Sequence, residues 1–231
     1  GMHGAHNTAY SIIDTELNIC VDSDDYLVND AIKEIASFWN KFKSDDYAGI
    51  IALDADKSNK IIGTRLPEGI KDSKYTELYQ LKGVKGDKKL IYRTDIMKKL
   101  PPYPEFKGEK YFALSYKYML ADQNYKLLLM NKAVCIVDYS PDGSSRNMLQ
   151  QYRNNPRGFA FMRKFLMQHS LTAGRCFIEC IHYVSSSLIS GNSQFLEESP
   201  RKLFSILAFP FGIILYLFIK YFGKQIINKG E

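Results

Sequence analysis

Short apolar runs of strand length alternate along this chain with longer stretches of helical spacing. Leu17-Asn18-Ile19-Cys20-Val21 and Gly49 to Ala55 read as buried strands, and Lys89 to Arg93 as a shorter one. Between the first two, Ile32, Ile35, Ala36 and Trp39 recur at helical spacing and predict an amphipathic helix from Asp30 to Lys43. Residues 56–88 are polar and glycine-containing, with a short helix expected around Thr76 to Leu81. Such a long stretch inside a compact domain suggests a binding loop or a lid.

The Pro101-Pro102-Tyr103-Pro104 run is extended, because each proline pushes its predecessor out of helical geometry. A helix is expected to open near Gly108, with Phe112, Tyr116, Met119 and Leu120 on one face. Lys126 to Met130 and Ala133 to Tyr139 predict a β-hairpin turned at Asn131-Lys132. Beyond Ser145 the pattern is helical over Gln150 to Arg153 and Phe159 to His169. A third stripe follows with Ala173, Cys176, Phe177, Cys180, Ile181 and Val184. The serine-rich stretch from Ser185 to Ser199, with Gly191 inside it and Pro200 after it, reads as a break.

The tail differs in kind. From Leu203 to Ile219 no residue is charged, while Arg201 and Lys202 precede the run and Lys220, Lys224 and Lys229 follow. Its length lies at the short limit for crossing a hydrocarbon core of about 30 Å. No polar face is written into it, which favours insertion over lying flat, and Pro210 leaves a re-entrant geometry open. The alternative is a buried helix of a soluble core. Membrane association through 203–222 is the expectation.

With 231 residues and 45% apolar content the chain can bury a sizeable core. Its length suggests one domain plus an appendage. The net charge of +6 is mild, and the Lys82 to Lys99 stretch is broken by Asp87 and Asp95. That stretch therefore reads as a solvated loop, and nucleic acid is not an expected partner. Cys20 and Cys135 lie in strand-like runs and read as small hydrophobes. Cys176 and Cys180 sit one helical turn apart without the further ligands a zinc site wants.

Candidate chemistry begins with Asp22-Ser23-Asp24-Asp25, directly after the first apolar run. Acids at a strand's C-terminal edge face the crevice where open α/β sheets bind ligands. Carboxylates this close repel one another, and a divalent cation relieves the repulsion. Magnesium or manganese held by one or two carboxylates plus substrate phosphates suits such a set. The competing reading is that the acids cap the helix beginning near Asn29 or Asp30.

Gly1-Met2-His3-Gly4-Ala5-His6-Asn7, the Asp22 to Asp25 acids, Tyr103-Pro-Glu-Phe-Lys-Gly-Glu-Lys-Tyr-Phe112 and Tyr139-Ser-Pro-Asp-Gly-Ser-Ser-Arg146 follow one another in an order that resembles the family 2 glycosyltransferases. The resemblance covers roughly the first two thirds of the chain and lies in order and spacing. It implies a GT-A-like, Rossmann-like α/β fold, a mixed sheet flanked by helices. It implies a partial catalytic domain over 1–155, a helical extension over 156–199 and the hydrophobic tail over 200–231.

Family members open with a strand, turn and helix that grip the nucleotide base. Their place would lie ahead of Gly1, so the chain is expected to be the C-terminal portion of a longer protein. The resemblance also assigns roles. Asp24 and Asp25 would hold manganese or magnesium, and Asp22 would hold sugar or ribose hydroxyls. His3, His6 and Asn7 would line the donor pocket, and Ser144, Ser145 and Arg146 would close over the diphosphate. Glu109 would be the general base, expected at the start of a helix, although Lys110 stands where the family has a second acid.

Gln150 and Arg153 are spaced as in a Q-x-x-R-W motif, with Asn154 in place of the tryptophan, so processive synthesis is not expected. The implied activity is transfer of a sugar from a nucleotide-diphosphate donor to a glycan or lipid-linked acceptor. It would be inverting, would serve cell-surface polysaccharide synthesis, and would take place at the cytoplasmic face of the cell membrane. The alternative is a catalytically inactive, membrane-anchored remnant or interaction domain of the same fold. A phosphotransferase reading lacks a glycine-rich cradle or a Walker-type lysine.

Overall fold

The structure is a computed structural model that describes residues 1–138 and 147–225, with side chains as far as Phe222. Two compact units divide it. One comprises Gly1–His6, Tyr103–Leu114 and Pro141–Glu231, and the other Asn7–Pro102 and Ser115–Ser140. Helix α1 (Met2–Ile12) begins in the first and ends in the second.

The second unit holds a six-stranded mixed sheet. In chain order it contributes β1 (Leu17–Ile19), β2 (Tyr26–Leu27), α2 (Ala31–Phe42), β3 (Tyr47–Ala55) and β4 (Asp72–Ser73). Then come α3 (Tyr75–Gln80), β5 (Lys88–Arg93), α4 (Thr94–Lys99), α5 (Ser115–Ala121) and β6 (Lys126–Ile136). Strand order is β1-β5-β3-β6-β2, with β4 also on β6; β3 and β6 run parallel and the other pairs antiparallel. The α/β class and the mixed sheet flanked by helices are as expected.

Every residue of β3 is buried, as its continuous apolar run predicts. Helix α2 lays Ala31, Ile35 and Trp39 on Ile50, Ala52, Leu128 and Met130. The opposite side of β5 carries Tyr92, whose ring stacks at 5.1 Å on Tyr118 of α5. Asp122, just beyond α5, accepts the Tyr75 and Thr76 amides at 2.7 and 2.6 Å and so caps α3 through its side chain.

Five sequence expectations are corrected by the fold. The 17–21 run is not a buried strand: β1 has three half-buried residues paired only with β5, because it is the sheet's edge, and Cys20 is exposed. The hairpin at 126–139 is one strand, β6. Asn131 does not turn the chain; its side chain takes the Leu66 amide and carbonyl, both at 2.9 Å. The two polar residues are absorbed where the register with β3 slips from Ala52/Met130 to Leu53/Ala133.

No helix opens at Gly108, which sits at φ +85°. Lys110 and Tyr111 instead donate their amides to Asn155 Oδ1 at 2.8 and 2.9 Å, and α5 starts only at Ser115. The Lys82 to Lys99 stretch is not a solvated loop. Lys88 and Lys89 are buried, and Lys88 Nζ donates to the Ile62 and Lys85 carbonyls at 2.9 Å each.

The first unit is helical. It contains α6 (Met148–Asn154), α7 (Pro156–His169), α8 (Ala173–Ser190), α9 (Phe195–Glu198) and α10 (Lys202–Gln225). The serine-rich break expected from 185 does not begin there. Ser185, Ser186 and Ser187 are buried within α8, and the helix ends at Gly191, whose φ of +71° makes it a left-handed cap. Helix α8 packs with α7 and α10 around Met167, Cys180, Tyr183, Val184 and Ala208.

Candidate functional site

Strands β1, β3 and β6 point the same way, so the Asp22 to Asp25 turn, the end of β3 and the residues after β6 share one edge of the sheet. The turn is closed by the Asp25 amide donating to the Asp22 carbonyl at 3.0 Å. Asp22 and Asp24 are exposed, while the Asp25 side chain is 5% exposed. Asp25 Oδ1 accepts the Asp138 amide at 3.2 Å, and Oδ2 lies 3.6 Å from Lys89 Nζ.

Lys89 enters from β5 and also faces Asp54 Oδ1 of β3 at 3.9 Å. Asp54 is buried, and its Oδ1 has no hydrogen-bond partner. Burial pushes the Asp54 carboxyl up to about 6, against the pull of Lys89. Burial also opposes the Lys89 charge, but Asp54, Cys135 and Asp25 outweigh it and raise the lysine pKa.

The acids therefore divide. Asp22 and Asp24 present free carboxylates to solvent, the donor set that a magnesium-type ion uses when substrate phosphates complete its shell. Asp25 is satisfied by a protein cation and an amide. Among the described residues, no group of three or more His, Cys, Asp or Glu side chains is gathered for a metal.

The residues expected in the donor pocket lie on α1. His3 is buried 6.0 Å from the Phe112 ring, its Nδ1 has no hydrogen-bond partner, and burial lowers its pKa. His6 meets Tyr103 edge-on at 6.0 Å, and Asn7 is half-buried. Ser144, Ser145 and Arg146 lie outside the described residues.

Glu109 does not begin a helix of its own. Its Oε1 accepts the Arg157 amide at 2.9 Å and Arg157 Nε at 3.0 Å, and its Oε2 accepts the Gly158 amide at 2.7 Å. It thus caps α7 from outside, where the first amides of a helix have no internal acceptor. A carboxylate offers about four acceptor positions, and these contacts take three of them. Asn155 grips the same segment through Lys110 and Tyr111, so 109–111 and 155–158 form a reciprocal clamp within the helical unit.

A cleft of about 670 Å³ opens at the opposite edge of the sheet, lined by Asp14, Glu16, Lys43, Asp45, Arg93 and Lys98 among others. Its cations are already engaged. Arg93 pairs with Asp95 at 2.8 Å, Lys43 with Glu16 at 2.9 Å, and Lys98 donates to the Ile13 carbonyl at 3.0 Å. It is not where the acidic turn lies.

Sequence reasoning missed Asp54 and Lys89. The signal was present as an acid inside the otherwise apolar Gly49 to Ala55 run, and as a lysine pair opening a strand.

No family model matches the chain, and no curated protein matches it. Among solved structures the chain is similar to S. aureus TarS 1–349 in complex with UDP-GlcNAc, with 16% identity over 95% of this chain and 70% of that one and a TM-score of 0.49. A second structure of TarS 1–349 gives 18% identity over 97% and 71%, with a TM-score of 0.43.

Proposed function

We propose that the chain belongs to a glycosyltransferase that moves a sugar from a nucleotide-diphosphate donor to a glycan or lipid-linked acceptor, at the cytoplasmic face of the cell membrane in cell-surface polysaccharide synthesis. The observation that carries this is the acidic turn: Asp25 is tied down, while Asp22 and Asp24 stand free at the C-terminal edge of the strands. The order of the sequence pieces supports it, and inversion is what the family resemblance implies.

Asp24 is the proposed ligand for manganese or magnesium, with Asp22 on the sugar or ribose hydroxyls. A divalent ion there supplies Lewis-acid stabilisation of the departing diphosphate. Asp25 holds the turn to the sheet through Lys89, so it is reassigned from ligand to anchor. Glu109 is proposed as a positioning residue that fixes 107–111 against α7. A fixed framework serves transfer because a small misplacement of the acceptor hydroxyl costs rate steeply.

A second reading is an inactive domain of the same fold that binds without turnover. One observation favours it: Lys89 already supplies a positive charge among the acids. Calorimetric titration of the full-length protein with uridine diphosphate, with and without manganese, tests the main reading. Manganese-dependent heat that Asp24→Ala abolishes is the expected result. Binding with no transfer to any acceptor, or no heat at all, ends the main reading and leaves the second, an inactive remnant or interaction domain.

A further inference from the structure

Helix α10 is covered on one side only. Ser205, Ala208, Gly212 and Ile219 are buried. Phe177 of α8 lies edge-on to Phe204 and Phe211 at 6.2 and 6.0 Å. Phe209, Phe211, Leu217 and Phe222 are exposed along its flanks, and between them so are Leu203, Ile206, Leu207, Ile214, Phe218 and Tyr221. Their spacing makes a single stripe along about 27 Å of helix.

We propose that this stripe enters the outer hydrocarbon of an anionic phospholipid surface in the plane of the membrane, with α8 taking the place of the polar face that α10 lacks. The inference deepens the membrane location proposed above and stands apart from sugar transfer.

Three observations carry it. First, a free spanning helix needs lipid or apolar protein all round, whereas the inner side of α10 is committed to α8. Helix α8 carries Glu179, whose side chain is 2% exposed and pairs with Arg163 at 2.5 Å and Arg175 at 3.4 Å. Crossing would draw that charged cluster toward the hydrocarbon centre, where ionic groups are expensive. Second, Arg201 and Lys202 at one end and Lys220 near the other are all exposed, matching anionic headgroups at both ends of the stripe. Third, no acidic residue occurs between Pro200 and Gln225. Pairing two copies of the stripe would therefore set cation against cation in either orientation, so a second copy fits poorly.

The test is flotation of the full chain with phosphatidylcholine vesicles, with and without added phosphatidylglycerol. Partition is expected to need the anionic lipid, and Ile206→Glu with Ile214→Glu to weaken it at least about tenfold. Both positions are solvent-exposed, and an unchanged melting curve shows that the doubly substituted chain still folds. Depth is read separately. With Cys20→Ser removing the exposed native thiol, a fluorophore on Leu207→Cys, Ile214→Cys or Phe218→Cys is quenched by lipids brominated at different positions.

Equal, shallow depths at the three sites confirm the in-plane arrangement. A deep maximum at Ile214 overturns it while leaving the membrane location standing. No partition, or a dimer that Ile214→Glu splits, overturns lipid as the occupant.

Discussion

Lys89 Nζ stands 3.6 Å from Asp25 Oδ2 and is the cation that fastens the acidic turn to the sheet. The same ammonium faces Asp54, so two carboxylates that are 5% and 2% exposed share one counter-charge. Removing one partner of a buried pair costs about 3–5 kcal/mol, because the remaining charge is left uncompensated. Lys89→Met is therefore expected to lower the melting temperature sharply, and Lys89→Arg to restore most of it. Manganese should stabilise Lys89→Met more than the parent chain, since a divalent ion can replace the lost charge. Equal manganese shifts in both proteins, followed by circular dichroism, would show that Lys89 is not the counter-charge.

Glu109 separates a structural from a chemical role. A capping carboxylate replaced by glutamine turns one acceptor into a donor facing the Arg157 or Gly158 amide. The expected cost is about 1–3 kcal/mol in the helical unit, with turnover of the folded fraction reduced by less than about tenfold, the mark of a positioning role. A general base would show the opposite pattern: an unchanged melting curve and a loss of turnover of about 100-fold or more.

Two groups, the buried Asp54 of β3 and the half-buried His182 of α8, should give opposite pH slopes. Burial, with help from Arg163 and Arg175, lowers His182 to about 4 from an ordinary 6.5. Its contribution is complete above about 6.5 and is lost as pH falls through 4. Asp54 is raised from 3.8 to about 6, so its contribution is complete below 3.8 and is lost as pH rises through 6. Each is worth about 3 kcal/mol at most, and the windows overlap between roughly 4 and 6. Relative to the parent, His182→Phe should gain stability on acidification, and Asp54→Asn should lose it. Chemical denaturation across that range measures both differences.

Much of the frame was legible in the sequence because periodicity reports burial. The continuous run of β3 and the Ile35/Trp39 spacing of α2 name the central strand and the helix that covers it. What escaped depends on partners distant in the chain. Asn131 reads as a turn residue until Leu66 is placed beside it, 65 positions away. Glu109 reads as a helix start until the α7 amides arrive from 48 positions on. At the candidate site, the acids were legible by type and spacing. Which of them is tied down was not, since Lys89 lies more than sixty residues from Asp25 and reaches it only through sheet order.

The last prediction concerns why α10 lies so close to α8. A Cβ built at Gly212 would stand 2.4 Å from Val184 Cγ1, 2.6 Å from Val184 Cβ and 3.2 Å from the Ile181 carbonyl oxygen. Only glycine admits this approach, two residues after Pro210, whose missing amide leaves the Ile206 carbonyl without its helical donor. Gly212→Ala is expected to cost about 1–3 kcal/mol by overpacking. Val184→Ala opens a small cavity at the same place and costs about 1–2 kcal/mol by itself. Because Val184→Ala removes the Cγ1 contact but leaves its Cβ 2.6 Å from the added methyl, the relief is partial, and the doubly substituted chain should be more stable than the sum of the two changes predicts by about 0.5–1 kcal/mol. Melting the four proteins side by side measures that coupling. Strict additivity would mean that α10 slides off α8 instead of meshing with it at this point.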